Sequence, residues 1–107
     1  MLKFLLENEQ EGVNMNIIKV LLVDDQPLII DGLKTILSTQ ENIKIVSEAT
    51  NGEEAIKKAE IYNPDIILMD IKMPGIDGVN ATKIILAKNN DIKILILTTF
   101  DDDEYII

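Results

Sequence analysis

This sequence predicts a parallel α/β fold, one open sheet with helices between its strands, and three observations carry the prediction. Four short aliphatic runs, at residues 17–23, 43–46, 66–69 and 92–97, are rich in β-branched side chains and have the length of strands buried on both faces. The stretches between them change to spacings of three and four. Strand and helix therefore alternate as β-α-β-α-β-α-β, a pattern of parallel crossovers, which are right-handed in about 98% of cases.

Residues 1–14 turn polar after the first six, carry Glu7, Glu9 and Glu11, and lead to a second methionine, Met15. They are expected to be an extension outside the fold, either a start assigned too early or a short frayed helix, with the domain at 15–107. After the first strand, Pro27 opens a helix at its first turn, and Ile29, Ile30, Leu33, Ile36 and Leu37 fall on one face. The second strand leads to a turn at Asn51 and Gly52, and Ala55, Ile56, Ala59 and Tyr62 form the next apolar stripe, closed by Asn63 and Pro64. A third helix is expected from Gly78 or Val79 to about Ala87. Asn89, Asn90 and Asp91 then turn the chain into the fourth strand. Neither repeats nor low-complexity segments interrupt this order.

With 107 residues the chain suits one domain with one core. It is 47% hydrophobic and 27% charged, and its 4% aromatic content without Trp implies an aliphatic core. A net charge of -9 repels nucleic acid and anionic membranes, so direct nucleic-acid binding by this chain is not expected. Cysteine and histidine are both absent, which excludes disulfides, thiolate chemistry, the usual zinc sites and imidazole acid-base catalysis. Oxygen ligands and carboxylate chemistry are what mainly remain. The apolar start at Met1 to Leu6 is too short for a signal-peptide core, and no apolar run approaches the roughly 18 residues of a membrane span. The expected location is cytoplasmic.

Those carboxylates are arranged at strand ends. Asp24 and Asp25 close the first strand and Asp70 closes the third, with Met73, Pro74, Gly75, Ile76, Asp77 and Gly78 just after. If the two strands are neighbours, three carboxylates meet at the carboxyl edge, where open α/β sheets bind ligands. Like charges within a few ångström disfavour joint ionisation unless a cation or a proton relieves them. Mg2+ suits such a cluster, because it takes one or two carboxylates and keeps several waters. The alternative reading makes Asp24 and Asp25 a solvated strand end or a helix cap, and Asp70 a plain turn residue. Asp77 reads as a turn residue, and Asp101, Asp102, Asp103 and Glu104 read as the acid-rich start of a helix, complementing its dipole.

Val23-Asp24-Asp25, Leu68-Met69-Asp70, the segment from Met73 to Gly78, and Leu97-Thr98-Thr99 occur in this order at or after successive strand ends. In this the chain resembles the receiver domain of two-component response regulators, over about residues 17–107. Gln26-Pro27 and the phrase from Leu97 to Tyr105 are most similar to the LuxR-type subfamily, whose members usually carry a helix-turn-helix output domain. The resemblance implies a flavodoxin-like receiver fold and makes Asp70 the acceptor of a phosphoryl group from the phosphohistidine of a sensor histidine kinase. It further implies that Asp25 and Asp70 ligate Mg2+ directly, Asp24 mainly through water, and Lys72 through its backbone carbonyl. Thr98 would be the switch hydroxyl, and Pro74 and Gly78 would shape the loop over the site. Phosphoryl transfer has matching needs, namely an in-line nucleophile, a cation across the transferring oxygens and donors for the equatorial charge.

The family's sheet has five strands in the order 2-1-3-4-5, and this sequence ends early in what would be the fourth helix. The expectation is a receiver truncated to about four strands, without the lysine that would bind the phosphoryl oxygens. Loss of one such donor costs roughly 2.7 to 4 kcal/mol in comparable sites, so impaired phosphorylation is expected. Lys72 would be a poor substitute, lying beside the acceptor rather than across from it. The run 92–97 would then be an apolar edge strand that seeks a partner, with a homodimer through it as one expected outcome. Functionally the chain reads as a switch more than an enzyme. The competing readings are a phosphate-independent interaction module and an inactive fragment of a DNA-binding transcriptional regulator; an aspartyl-phosphate hydrolase is disfavoured, because the further acidic and basic residues of such sites are not found.

Overall fold

A computed structural model describes residues 16–73 and 75–97. The extension expected at 1–14, Pro74 of the loop expected over the site, Thr98 with its expected switch role, and the acid-rich segment after it lie outside the described residues. Within them the order is β1 (Ile18–Val23), α1 (Pro27–Leu37), β2 (Ile43–Ala49), α2 (Gly52–Tyr62), β3 (Ile66–Asp70), α3 (Gly78–Lys88) and β4 (Lys93–Leu97). The alternation matches the sequence expectation element for element.

All four strands are parallel, in the spatial order β2-β1-β3-β4. β1 and β3 are central, and both read as continuous apolar text because both faces are covered. Leu21, Val23, Ile67 and Met69 pack with Ala55 and Ala59 of α2 and Ala81 and Ile85 of α3. On the opposite face, Val20, Leu22, Ile66 and Leu68 pack with Ile30 and Leu37 of α1. The chain thus crosses one face through α1 and returns across the other through α2. The direction of winding reverses between β1 and β3, which makes the carboxyl ends of these two strands the crevice of the sheet.

β2 runs three residues further than its aliphatic text. The register passes from Val20↔Ile45 to Leu21↔Ser47, so Val46 is an extra residue and the ladder resumes through Ala49. The polar pair Ser47 and Glu48 breaks the apolar pattern, yet the backbone of β1 still needs partners along that edge, and the ladder continues. A bulge in an outer strand also bends it away from further pairing.

Helix ends follow their local chemistry. Pro27 starts α1, Asn51 Oδ1 accepts the Glu54 N–H at 2.8 Å to cap α2, and Asp77 Oδ1 accepts the Asn80 N–H at 2.8 Å to cap α3. Asn63 ends α2 in the left-handed region, at φ 45, which asparagine tolerates better than most residues. Two residues depart from the expected stripes: Ile36 is 50% exposed and Tyr62 is 41% exposed. In α1 the buried line runs through Ile30, Leu33 and Leu37, and Ile36 lies about 100° to its side. In α2 the sheet accepts the small Ala55 and Ala59, while Tyr62 stands at the helix end.

Gly32 sits in the interior of α1, exposed, with open space where a Cβ would be. Gly32→Ala is therefore expected to stabilise the protein by about 0.5 to 1 kcal/mol, through the entropy that glycine loses on entering a helix. Urea unfolding reads the effect directly, and an unchanged or lowered midpoint would contradict it.

Candidate functional site

The pairing Val23↔Met69 brings the ends of β1 and β3 level, so the residues that follow Val23 lie beside Asp70. Asp24 leaves the strand with its N–H on the Ala49 carbonyl of β2 at 3.0 Å, and its Oδ1 accepts the Gln26 N–H at 2.9 Å. This short turn holds Asp24 inward and leaves Asp25 exposed. Asp70, the last residue of β3, accepts the Lys72 N–H on Oδ1 at 3.2 Å. Asp24 and Asp70 are buried, at 3% and 4% exposure. Asp24, Asp25 and Asp70 each offer one carboxylate oxygen, and these atoms lie within 4.8 Å of one another. Among the described residues this trio is the one metal-competent acidic group.

Electrostatics make the trio a candidate cation site. Burial raises the Asp70 pKa above the usual carboxylate value; the Lys72 N–H opposes this, and the negative charge of Asp25 adds to it. Burial likewise raises Asp24, with the Gln26 N–H opposing and the charges of Asp70 and Asp25 adding. Both groups therefore resist ionisation where they stand. A hard divalent ion relieves the conflict, because carboxylate oxygens are its natural ligands and its charge offsets both the burial cost, which is the larger cause of the raised pKa values, and the repulsion that adds to it. The donor set fits Mg2+.

The segment after Asp70 is held against it. Gly78 donates its N–H to the Ile71 carbonyl at 3.2 Å and packs so closely on the strand end that a Cβ there would lie 2.5 Å from the Asp70 carbonyl oxygen. Only glycine permits that approach. Of the residues expected at the site, the structure thus brings together Asp24, Asp25 and Asp70, and sets the Lys72 backbone beside Asp70. Asp77 caps a helix, as its turn position implied. Sequence reading missed two supports: the Ala49 carbonyl that anchors Asp24, hidden because β2 reads as ending at Val46, and the packing of Gly52, which reads only as a turn residue.

Comparison with known proteins agrees with this geometry. The family model described as the response regulator receiver domain matches residues 20–107. The transcriptional regulatory protein DegU of Brevibacillus brevis is 41% identical over 96 residues, covering 90% of this chain and 41% of that protein. The chain spans about two fifths of the length of the curated relatives it matches. A two-component response regulator of the LuxR family from Aurantimonas sp. SI85-9A1 superposes with a TM-score of 0.76 at 28% identity, over 85% of this chain and 65% of that one. A CheX–CheY–BeF3–Mg2+ complex from Borrelia burgdorferi superposes with a TM-score of 0.76 at 27% identity, over 90% of this chain and 75% of that one.

Proposed function

The chain belongs to the response regulator receiver domain family, and from that premise we propose that Asp70 accepts a phosphoryl group from the phosphohistidine of a sensor histidine kinase, with Mg2+ held by Asp24, Asp25, Asp70 and the backbone carbonyl of Lys72. One observation carries the reading: three carboxylates, two of them buried, converge at the crevice of a parallel sheet, where burial and neighbouring negative charge work against the ionisation of Asp24 and Asp70. In the step itself an Asp70 carboxylate oxygen forms a bond to phosphorus while the phosphorus–nitrogen bond to the donor imidazole breaks. The bond electrons leave with the imidazole nitrogen, which takes up a proton. Bound Mg2+ would supply charge neutralisation for the transferring oxygens. The Lys72 N–H helps orient the Asp70 carboxylate by donating to Oδ1. Thr98 supplies the switch hydroxyl in this proposal, and the output is transcription regulation, as in the DegU relative.

The test is chemical. Incubated with acetyl phosphate and Mg2+, the chain is expected to gain one phosphoryl group, which borohydride reduction should map to Asp70. A folded protein that gains no adduct, or gains it at another residue, would refute the proposal.

A further inference from the structure

We infer that Gly52, on α2 and outside the acidic trio, is a positioning residue for the acceptor site, bracing the segment that follows Asp70. The inference rests on the roles proposed above for Asp70 and Lys72. A Cβ at Gly52 would lie 2.2 Å from the Ile76 carbonyl oxygen and 2.9 Å from the Ile76 Cβ, closer than real Cβ contacts come. Gly52 is buried, so the two backbones meet face to face. Ile76 stands two residues before Gly78, which is itself pressed on the Asp70 carbonyl and donates to the Ile71 carbonyl at 3.2 Å. A push on Ile76 therefore reaches Ile71, and with it Lys72.

The other side of the contact cannot yield freely either. Glu54 Oε1 accepts the Thr50 N–H at 2.8 Å and the Thr50 hydroxyl at 3.1 Å, while Asn51 Oδ1 accepts the Glu54 N–H at 2.8 Å. Thr50 follows Ala49, whose carbonyl holds the Asp24 N–H at 3.0 Å, and Ala55 behind Gly52 is 0% exposed against the sheet. If the post-Asp70 segment yields, Lys72 moves; if α2 yields, Ala49 and Asp24 move. Gly52 thus lies on a continuous brace between the two halves of the carboxylate site. A misplacement of roughly 1 Å at such a support can cost about 100-fold in rate, and loss of outer supports typically costs roughly 10- to 100-fold in metal affinity.

Gly52→Ala and wild type are compared with Ile85→Val, which trims the core on α3 away from the brace. Three measurements are made on each well below its melting temperature: Mg2+ affinity by calorimetry, the rate of phosphoryl gain from acetyl phosphate, and amide resonances of the metal-free protein. Gly52→Ala should bind Mg2+ roughly tenfold or more weakly, gain phosphate correspondingly slowly and shift the Ile71 and Lys72 amides, while Ile85→Val loses thermal stability alone. Wild-type affinity and rate in folded Gly52→Ala would overturn the inference and leave the phosphoacceptor reading intact; absence of Mg2+ binding and adduct in the wild type would overturn both. Should Gly52→Ala not fold, Ile76→Gly decides, because it removes the braced side chain and loosens the same backbone. Weakened Mg2+ binding in that variant supports the brace, and wild-type binding overturns it.

Discussion

Asp70→Asn is expected to abolish the phosphoryl adduct while raising the thermal midpoint of the metal-free protein. The two effects have one origin. An amide oxygen lacks the charge and nucleophilicity that bond formation to phosphorus requires, so the expected outcome is complete loss of the adduct, not slower formation. The same substitution leaves an acceptor for the Lys72 N–H, which lies 3.2 Å from Oδ1. It also removes a buried charge that desolvation and Asp25 both disfavour. Each kcal/mol so recovered moves the midpoint of a domain of this size upward by roughly 4 to 8 °C. Intact-mass analysis and a melt in EDTA read the two outcomes separately. An adduct on the variant would remove Asp70 from its proposed role, and a lowered midpoint would show that its charge is not a burden to the fold.

Mg2+ should reverse the way stability depends on pH. Asp24 and Asp70 both have folded-state pKa values raised above their unfolded values, burial being the first cause in each. Between the unfolded value, near 3.9, and the raised folded one, the native state binds more protons than the unfolded state. The stability these groups contribute is therefore fully present below about pH 4 and is lost as pH rises through their folded pKa values. In EDTA, the gap in midpoint between Asp24→Asn and wild type should widen in favour of the variant across that range. With Mg2+ present the ionised carboxylates become ligands, and the sign inverts. A cation at 100 times its Kd adds about 2.7 kcal/mol to the native state, and this gain is available to the wild type only once Asp24 and Asp70 are ionised. Wild type should then gain stability with rising pH while Asp24→Asn gains little. A gap in EDTA that stays constant with pH, or one that Mg2+ leaves untouched, would refute this account.

Much of the fold was legible because its signals are local. Pro27 at a helix start, Asn63 and Pro64 at a helix end, and β-branched runs of strand length mark elements without reference to anything distant. The carboxylate trio was legible for a related reason, since aspartates that close the first and third strands of an alternating α/β text meet if those strands pair, and they do. Legibility failed where a partner decided the outcome. Ser47 and Glu48 do not look like strand, yet β1 draws them into its ladder beyond the bulge at Val46. Ile36 belongs to an apolar stripe by type, but the packing surface under α1 is narrower than the stripe. The close approach of Gly52 to Ile76 joins residues far apart in the text, and nothing in the Asn-Gly pair announces it.

By itself the sequence determined which elements form, their order, and the chemistry available: three aspartates at strand ends, with neither cysteine nor histidine to offer another route. These properties depend on side-chain type and on spacings of a few residues, which no later event in folding alters. The tertiary structure alone decided that Asp24 is buried and Asp25 exposed, although they are neighbours of the same kind. Successive residues leaving a strand face opposite ways, and the one turned inward was selected by the Ala49 carbonyl of β2 and by the level pairing of Val23 with Met69. Burial then set the charge conflict that makes the trio receptive to a cation, because desolvation and repulsion depend on distances across the sheet that a linear order of residues does not contain.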